Sequence, residues 1–222
     1  MGKITFSTDL CDTLVQGNTT FIFLDSFLAD NKKYKFFKRI KKNIVARFIL
    51  KIFFLLKIDI NRYIALGFLR GIPKKELVLH LDKIFTNKFI FNDNVLSALL
   101  NSKKKKHSTY IVSASLDFIV EYISHKLGIE FLSTTLKYDS NNICLGKIEK
   151  NLLFSKKNVF LKKIGNYSGK TLFISDNKED VDLLKYVDYG FGFFNKKNES
   201  CFIKNKIIPF DINKVNEIIN NE

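Results

Sequence analysis

After about residue 106 short apolar runs alternate with amphipathic stretches, and this alternation limits the possible folds most. "HSTYIVSAS", "IEFLSTTLKYD" and "KTLFIS" read as strands. "SLDFIVEYISHKLG", "SKKNVFLKKIG" and "NKEDVDLLKYV" read as helices, the first starting at Ser115 as N-cap and stopping at Gly128. "ICLGKIEK" reads as a further strand, joined to "IEFLSTTLKYD" by the turn "DSNN", and residues 3–8 form one more strand near the other end. Strands separated by helices at this spacing bury both faces of a sheet only if it is largely parallel and doubly wound. The expected fold class is therefore α/β, with a Rossmann-like, mostly parallel sheet.

Between the first strand and the second the pattern is helical. "NTTFIFLDSFLAD" has apolar residues at helical spacing, with Asn18 or Thr19 as N-cap, and "GIPKKELVLHLDKIF" places Pro73 in a first turn. The run "SKKKKH" closes this part. The expected organisation is a core of residues 1–15 and 106–222 with an inserted helical lid at 16–105. Hydrophobic residues make up 46% of the 222, enough for a packed core and too many for a disordered chain.

The formal charge is +15, which favours anionic partners such as phosphorylated metabolites, acidic lipid headgroups or nucleic acid. A generally lysine-rich surface with no specific polyanion explains it equally well. Cys11, Cys144 and Cys201 are odd in number and widely spaced, so neither a disulfide framework nor a zinc site is indicated. The opening "MGKITFSTDL" lacks the apolar run of a signal peptide, and Phe6 spoils a myristoylation pattern. A cytoplasmic, reducing location is expected.

The segment 41–58, "KKNIVARFILKIFFLLKI", is basic and very apolar. Arg47 and Lys51 interrupt it, so it is too broken for a membrane span, and at a spacing of four they share a helix face. The preferred reading is a lid helix packed on its neighbours. The alternative is peripheral contact with an acidic membrane surface. Interleaved Phe and Tyr also allow nucleic-acid binding, but no nucleic-acid motif is present and such a partner is not expected. Oligomeric state cannot be read from these letters.

In an open parallel sheet, ligands bind beyond the carboxyl ends of the strands. Asp9 follows the first strand, Ser113 ends "YIVS", Asp176 follows "TLFIS", and Lys157 lies near the start of "SKKNVFLKK". Two carboxylates at neighbouring strand ends repel unless a cation lies between them. Mg²⁺, which prefers hard oxygen ligands, is the natural candidate. Ser113 and Lys157 would then hold a phosphate by hydrogen bond and by charge, making a phosphoryl-transfer site. Each residue alone has a plainer explanation: Asp after a strand forms turns, and Lys is commonly solvated.

The ordered set "DLCDTLV", "IVSAS", "SKKNVFL" and "SDNKED" resembles the four motifs of the haloacid dehalogenase-like phosphatase superfamily, in particular its phosphoserine-phosphatase-like members with a helical cap. The lid segment "YIALGFLRGIPKKEL" is similar to one such hydrolases carry. The resemblance implies a Mg²⁺-dependent phosphomonoester hydrolase acting on a small phosphorylated metabolite or a lipid or polysaccharide precursor. It implies Asp9 as the nucleophile that forms an aspartyl-phosphate, and the carbonyl of Cys11 as a metal ligand. Thr13 would support the loop and Ser113 would bind phosphate. Lys157 would neutralise phosphate and nucleophile, with Lys156 as the alternative. Asp176 and Asp180 would serve the metal, and Asn177 the metal or phosphate.

One position departs from that pattern. The phosphatases usually carry aspartate two residues after the nucleophile, where it acts as acid and base; here it is Cys11. A thiol near its ordinary pKa of ~8.5 can donate a proton at neutral pH but is a poor base. Losing a positioned acid/base group costs about 10²–10⁴-fold. Either Cys11 or a substrate group covers the role, or Asp12 does so, or the protein is a weak pseudo-phosphatase that binds phosphate. A basic polyanion-binding module is the third functional class. Alternation along an extended chain points Asp12 the other way. His80, His107 and His125 show no catalytic pairing.

Overall fold

A computed structural model describes residues 4–164 and 169–221. Met1 to Lys3, where the first expected strand begins and the spoiled myristoylation pattern opens, and Gly165, the last residue of the expected helix "SKKNVFLKKIG", lie outside the described residues. The chain opens with strand β1 (Thr5–Thr8), followed by helices α1 (Thr19–Phe27), α2 (Lys32–Ile40), α3 (Ile44–Leu55), α4 (Ile60–Gly67), α5 (Lys74–Lys88) and α6 (Asp93–Lys104). Then come β2 (Ser108–Leu116), α7 (Asp117–Leu127), β3 (Glu130–Tyr138), β4 (Cys144–Lys150), α8 (Lys156–Ile164) and β5 (Thr171–Ser175). A 3₁₀ turn (Lys178–Asp180) leads into α9 (Val181–Leu184), β6 (Tyr189–Gly192), α10 (Glu199–Lys204), β7 (Ile208–Pro209) and α11 (Ile212–Asn221).

The strand order is β4-β3-β2-β1-β5-β6-β7, and every pairing is parallel except β3 with β4. Helices cover both sides, as the alternation requires. On one face Tyr110, Val112 and Phe173 pack against Phe160 and Ile164 of α8, Leu183 and Leu184 of α9, and Phe202 of α10. Gly128 ends α7 in the left-handed conformation, φ 63°, as expected of a glycine stop. Ser115 is not its cap: Leu116 occupies that position with no side-chain bond, and the Ser115 hydroxyl instead lies 2.6 Å from that of Thr19.

The chain divides into two compact units: residues 1–19, 89–134 and 151–222, and residues 20–88 with 135–150. This differs from the expected boundaries at three places, the first being residues 16–19, expected in the lid and grouped with the first unit. Residues 89–105, expected in the lid, belong to the first unit. Backbone bonds tie that segment to the first loop, Gln16 donating to Ile90 and Asn92 to Leu14, and α6 packs on β1, β2 and α11. Residues 135–150, expected in the core, belong to the second unit. There Gly71 and Cys144 donate to Cys144 and Ile72, each at 2.8 Å, and a Cβ on Gly146 would meet the Leu66 carbonyl at 3.0 Å. That close approach explains the glycine.

Asn and Asp set the helix starts of the second unit. Asn31 accepts from the Tyr34 amide, Asn43 from Val45 and Asp59 from Arg62. Asn43 therefore splits the basic stretch from Tyr34 to Ile58 into α2 and α3. Leu66, Leu69, Leu77 and Leu81 are buried within this unit, and His80 lies edge-on to Phe23 and Phe27 with its Nε2 3.0 Å from the Ser26 hydroxyl.

Candidate active site

The register of the central strands gathers the candidate residues. Thr8 pairs with Ile111 of β2 and Ile174 of β5, so Asp9, Ser113 and Asp176 follow at one edge of the sheet. The Asp9 amide donates to the Ile174 carbonyl at 2.8 Å, and its carboxylate accepts from the Leu10 amide at 2.8 Å. Asp9, the first residue after β1, is buried.

The lysine that meets it is Lys156, not the expected Lys157. Lys156 is 3% exposed, and its Nζ lies 2.9 Å from Asp9 Oδ1 and 2.6 Å from Asp180 Oδ2. Lys157 turns away, 5.3 Å over the Tyr186 ring. The cause is helical: α8 buries Lys156, Phe160 and Ile164, one face at a spacing of four, and the next residue lies about 100° round. Burial opposes the Lys156 charge, but Asp180 and Asp9 more than offset it and raise its pKa. The ammonium stays charged.

Asp180 is buried and holds Lys156 with one oxygen, Oδ2, which also accepts from Ser175 Oγ at 2.7 Å. Among the described residues its Oδ1 has no hydrogen-bond partner. Asp176 is held through Thr13: its amide donates to Thr13 Oγ1 at 3.0 Å, and that hydroxyl donates to Asp176 Oδ1 at 3.4 Å. Burial pushes the Asp176 carboxyl up to about 7, and the Asp9 and Asp12 charges add to it. Asn198, buried, donates from Nδ2 to the carbonyls of Asp176 and Phe193 and thus fixes the turn after β5.

The Ser113 hydroxyl accepts from the Ser115 amide at 3.1 Å, keeping it at the same buried edge. Asn177, expected to touch metal or phosphate, has its side-chain oxygen engaged elsewhere, capping the 3₁₀ turn by accepting from the Glu179 amide. Asp12 is exposed with φ 53° and accepts from the Gly17 amide at 2.8 Å, so it is a turn former.

Cys11 points to the start of α1. Its Sγ lies 3.2 Å from Thr19 Oγ1 and accepts from the Thr19 amide at 3.4 Å. Burial, then the Asp9 charge, push the thiol up to about 11. It is a neutral thiol at physiological pH and a negligible base.

No cluster of three or more His, Cys, Asp and Glu side chains able to hold a metal occurs among the described residues. The edge presents a smaller, all-oxygen pair, the carboxylates of Asp9 and Asp176, whose charges act on each other. Burial of Asp176 with the Asp9 charge near it, and the buried Asp180 Oδ1 without a hydrogen-bond partner among the described residues, are what a hard divalent cation and its waters relieve. The donors fit Mg²⁺.

Sequence reading missed Ser175, Asn198 and the Thr19–Ser115 hydroxyl pair. A signal did exist for Lys156: the spacing to Phe160 and Ile164 marks its face.

The family model for haloacid dehalogenase-like hydrolase matches residues 8–185, and the chain belongs to that family. No curated protein matches its sequence. A protein of unknown function from Bordetella pertussis Tohama I superposes with TM-score 0.75 at 15% identity, covering 96% of this chain and 100% of the other. A phosphoserine phosphatase caught as a phospho-aspartyl intermediate analogue gives 0.64 at 16%, covering 98% and 99%. A substrate-bound phosphoserine phosphatase complex gives 0.65 at 16%, covering 98% of each chain. At these identities the likeness is one of fold.

Proposed function

We propose that this chain is a Mg²⁺-dependent phosphomonoester hydrolase working through phospho-Asp9. The observation that carries the reading is the buried Asp9–Lys156–Asp180 arrangement at the strand edge. Lys156 lies against Asp9 in a closed environment and offers positive charge to an incoming phosphate. Asp180 and Ser175 position the ammonium. An Asp9 oxygen attacks phosphorus, the ester P–O bond breaks, and the leaving oxygen takes a proton. Water then cleaves the aspartyl-phosphate, releasing inorganic phosphate and restoring Asp9. Ser113 binds a phosphate oxygen. Asp9, Asp176 and the Cys11 carbonyl would hold Mg²⁺, which when bound supplies charge neutralisation to the phosphate.

Cys11 fits only half of the acid/base role. A thiol near 11 can protonate an alkoxide, since an alcohol is the weaker acid, but it does not activate water. Substrates with good leaving groups are therefore favoured. The same thiol favours a second reading, a weak pseudo-phosphatase that binds phosphate without efficient turnover. The substrate class is a small phosphorylated metabolite or a lipid or polysaccharide precursor.

Purified protein with a panel of phosphomonoesters and Mg²⁺ tests this. Phosphate release that needs Mg²⁺ and vanishes in Asp9→Asn supports the hydrolase. Saturable binding of a phosphate mimic with no release supports the second reading.

A further inference from the structure

We propose that α3, with the cationic cleft beside it, docks this chain on the surface of an anionic lipid bilayer. None of the 12 residues of α3 is buried. Ile44, Phe48 and Leu55 are 80%, 66% and 73% exposed, and Ile52 is exposed with them. At 100° per residue these four share one face, an apolar strip along the whole helix. No described helix is long and apolar enough to cross a membrane, so the strip suits a helix lying in the interface.

The charge beside the strip selects the occupant. A cleft of about 560 Å³ is lined by Lys41, Lys42, Arg47 and Lys51, with Asp59 as the carboxylate among them. Arg47 and Lys51 lie on the flank of the apolar face, so lipid phosphates would meet the cations as Phe48 and Leu55 enter the acyl boundary. A second copy of this chain laid face to face would bring these cations against their equivalents. Nucleic acid would satisfy the cations and leave the aliphatic strip in water. Docking is independent of the hydrolase reading and requires no turnover at Asp9.

Flotation of the full chain with vesicles tests it. The chain is expected to float with phosphatidylcholine–phosphatidylglycerol vesicles and not with phosphatidylcholine alone, and to be released at high salt. Phe48→Ser with Leu55→Ser, and separately Arg47→Glu with Lys51→Glu, should each lower partitioning by about tenfold or more. The chain has no Trp, so Phe48→Trp gives a single indole whose emission should shift to the blue on the anionic vesicles, whether or not the other variants fold. Absence of flotation, flotation that survives both pairs of substitutions, or an unshifted indole overturns the proposal. So does a dimer dissociated by the apolar pair, or oligonucleotide binding lost in the charge-reversed pair, without vesicle binding.

Discussion

Lys156 Nζ lies 2.9 Å from Asp9 Oδ1, with both side chains closed off from solvent. This pair, completed by Asp180, puts a cation beside the proposed nucleophile. Removing the cation leaves two buried carboxylates unbalanced. Lys156→Met should cost about 3–5 kcal/mol in denaturant unfolding and lower phosphate release by about 10²-fold or more. Lys157→Met should stay near the parent in both. Equal losses at the two positions would contradict the geometry.

A carboxylate at position 11 should restore the missing base. The Thr19 amide and hydroxyl that meet the thiol can equally donate to an aspartate. Cys11→Asp is expected to raise turnover of esters with poor leaving groups by about tenfold or more, with less gain for good ones. A series of aryl and alkyl phosphates measures this. An unchanged dependence on leaving group would mean that the site is organised around cysteine.

Thiol chemistry should follow the raised pKa. Deprotonation of Cys11 centres near 11, so the thiolate fraction grows about tenfold per pH unit up to that value. Alkylation by iodoacetamide, read by peptide mass spectrometry, should keep accelerating past pH ~9, above the ordinary thiol range. A plateau within that range would show that Asp9 and burial do not act on Cys11 as described.

Asn198 holds the turn that carries Asp176. Asn198→Ala removes two donated bonds to buried carbonyls and should cost about 1–3 kcal/mol in thermal or denaturant unfolding. Because Asp176 shifts with its backbone, half-maximal phosphate release should need a higher Mg²⁺ concentration than in the parent. Unchanged stability and Mg²⁺ dependence would remove Asn198 from the account.

Strand periodicity and its Ser and Asp stops made the sheet legible, and the order of motifs placed Asp9, Ser113 and Asp176 at one edge. Local patterns were less informative where tertiary packing decides. A pair of adjacent lysines gives no choice until the Phe160–Ile164 face is counted. The hairpin at 135–150 reads as core strands because its letters carry no trace of the 66–74 segment it packs on. Asn177 has the chemistry of a ligand, yet the free amide at Glu179 claims its oxygen. Ser175 and Asn198 act through fold contacts, which no spacing reveals.

Trapping the covalent intermediate tests the central claim most directly. Acid quenching during turnover of a radiolabelled phosphomonoester with Mg²⁺ should leave hydroxylamine-labile label on the peptide containing Asp9, absent in Asp9→Asn. Turnover without such label, or label on another residue, would contradict it.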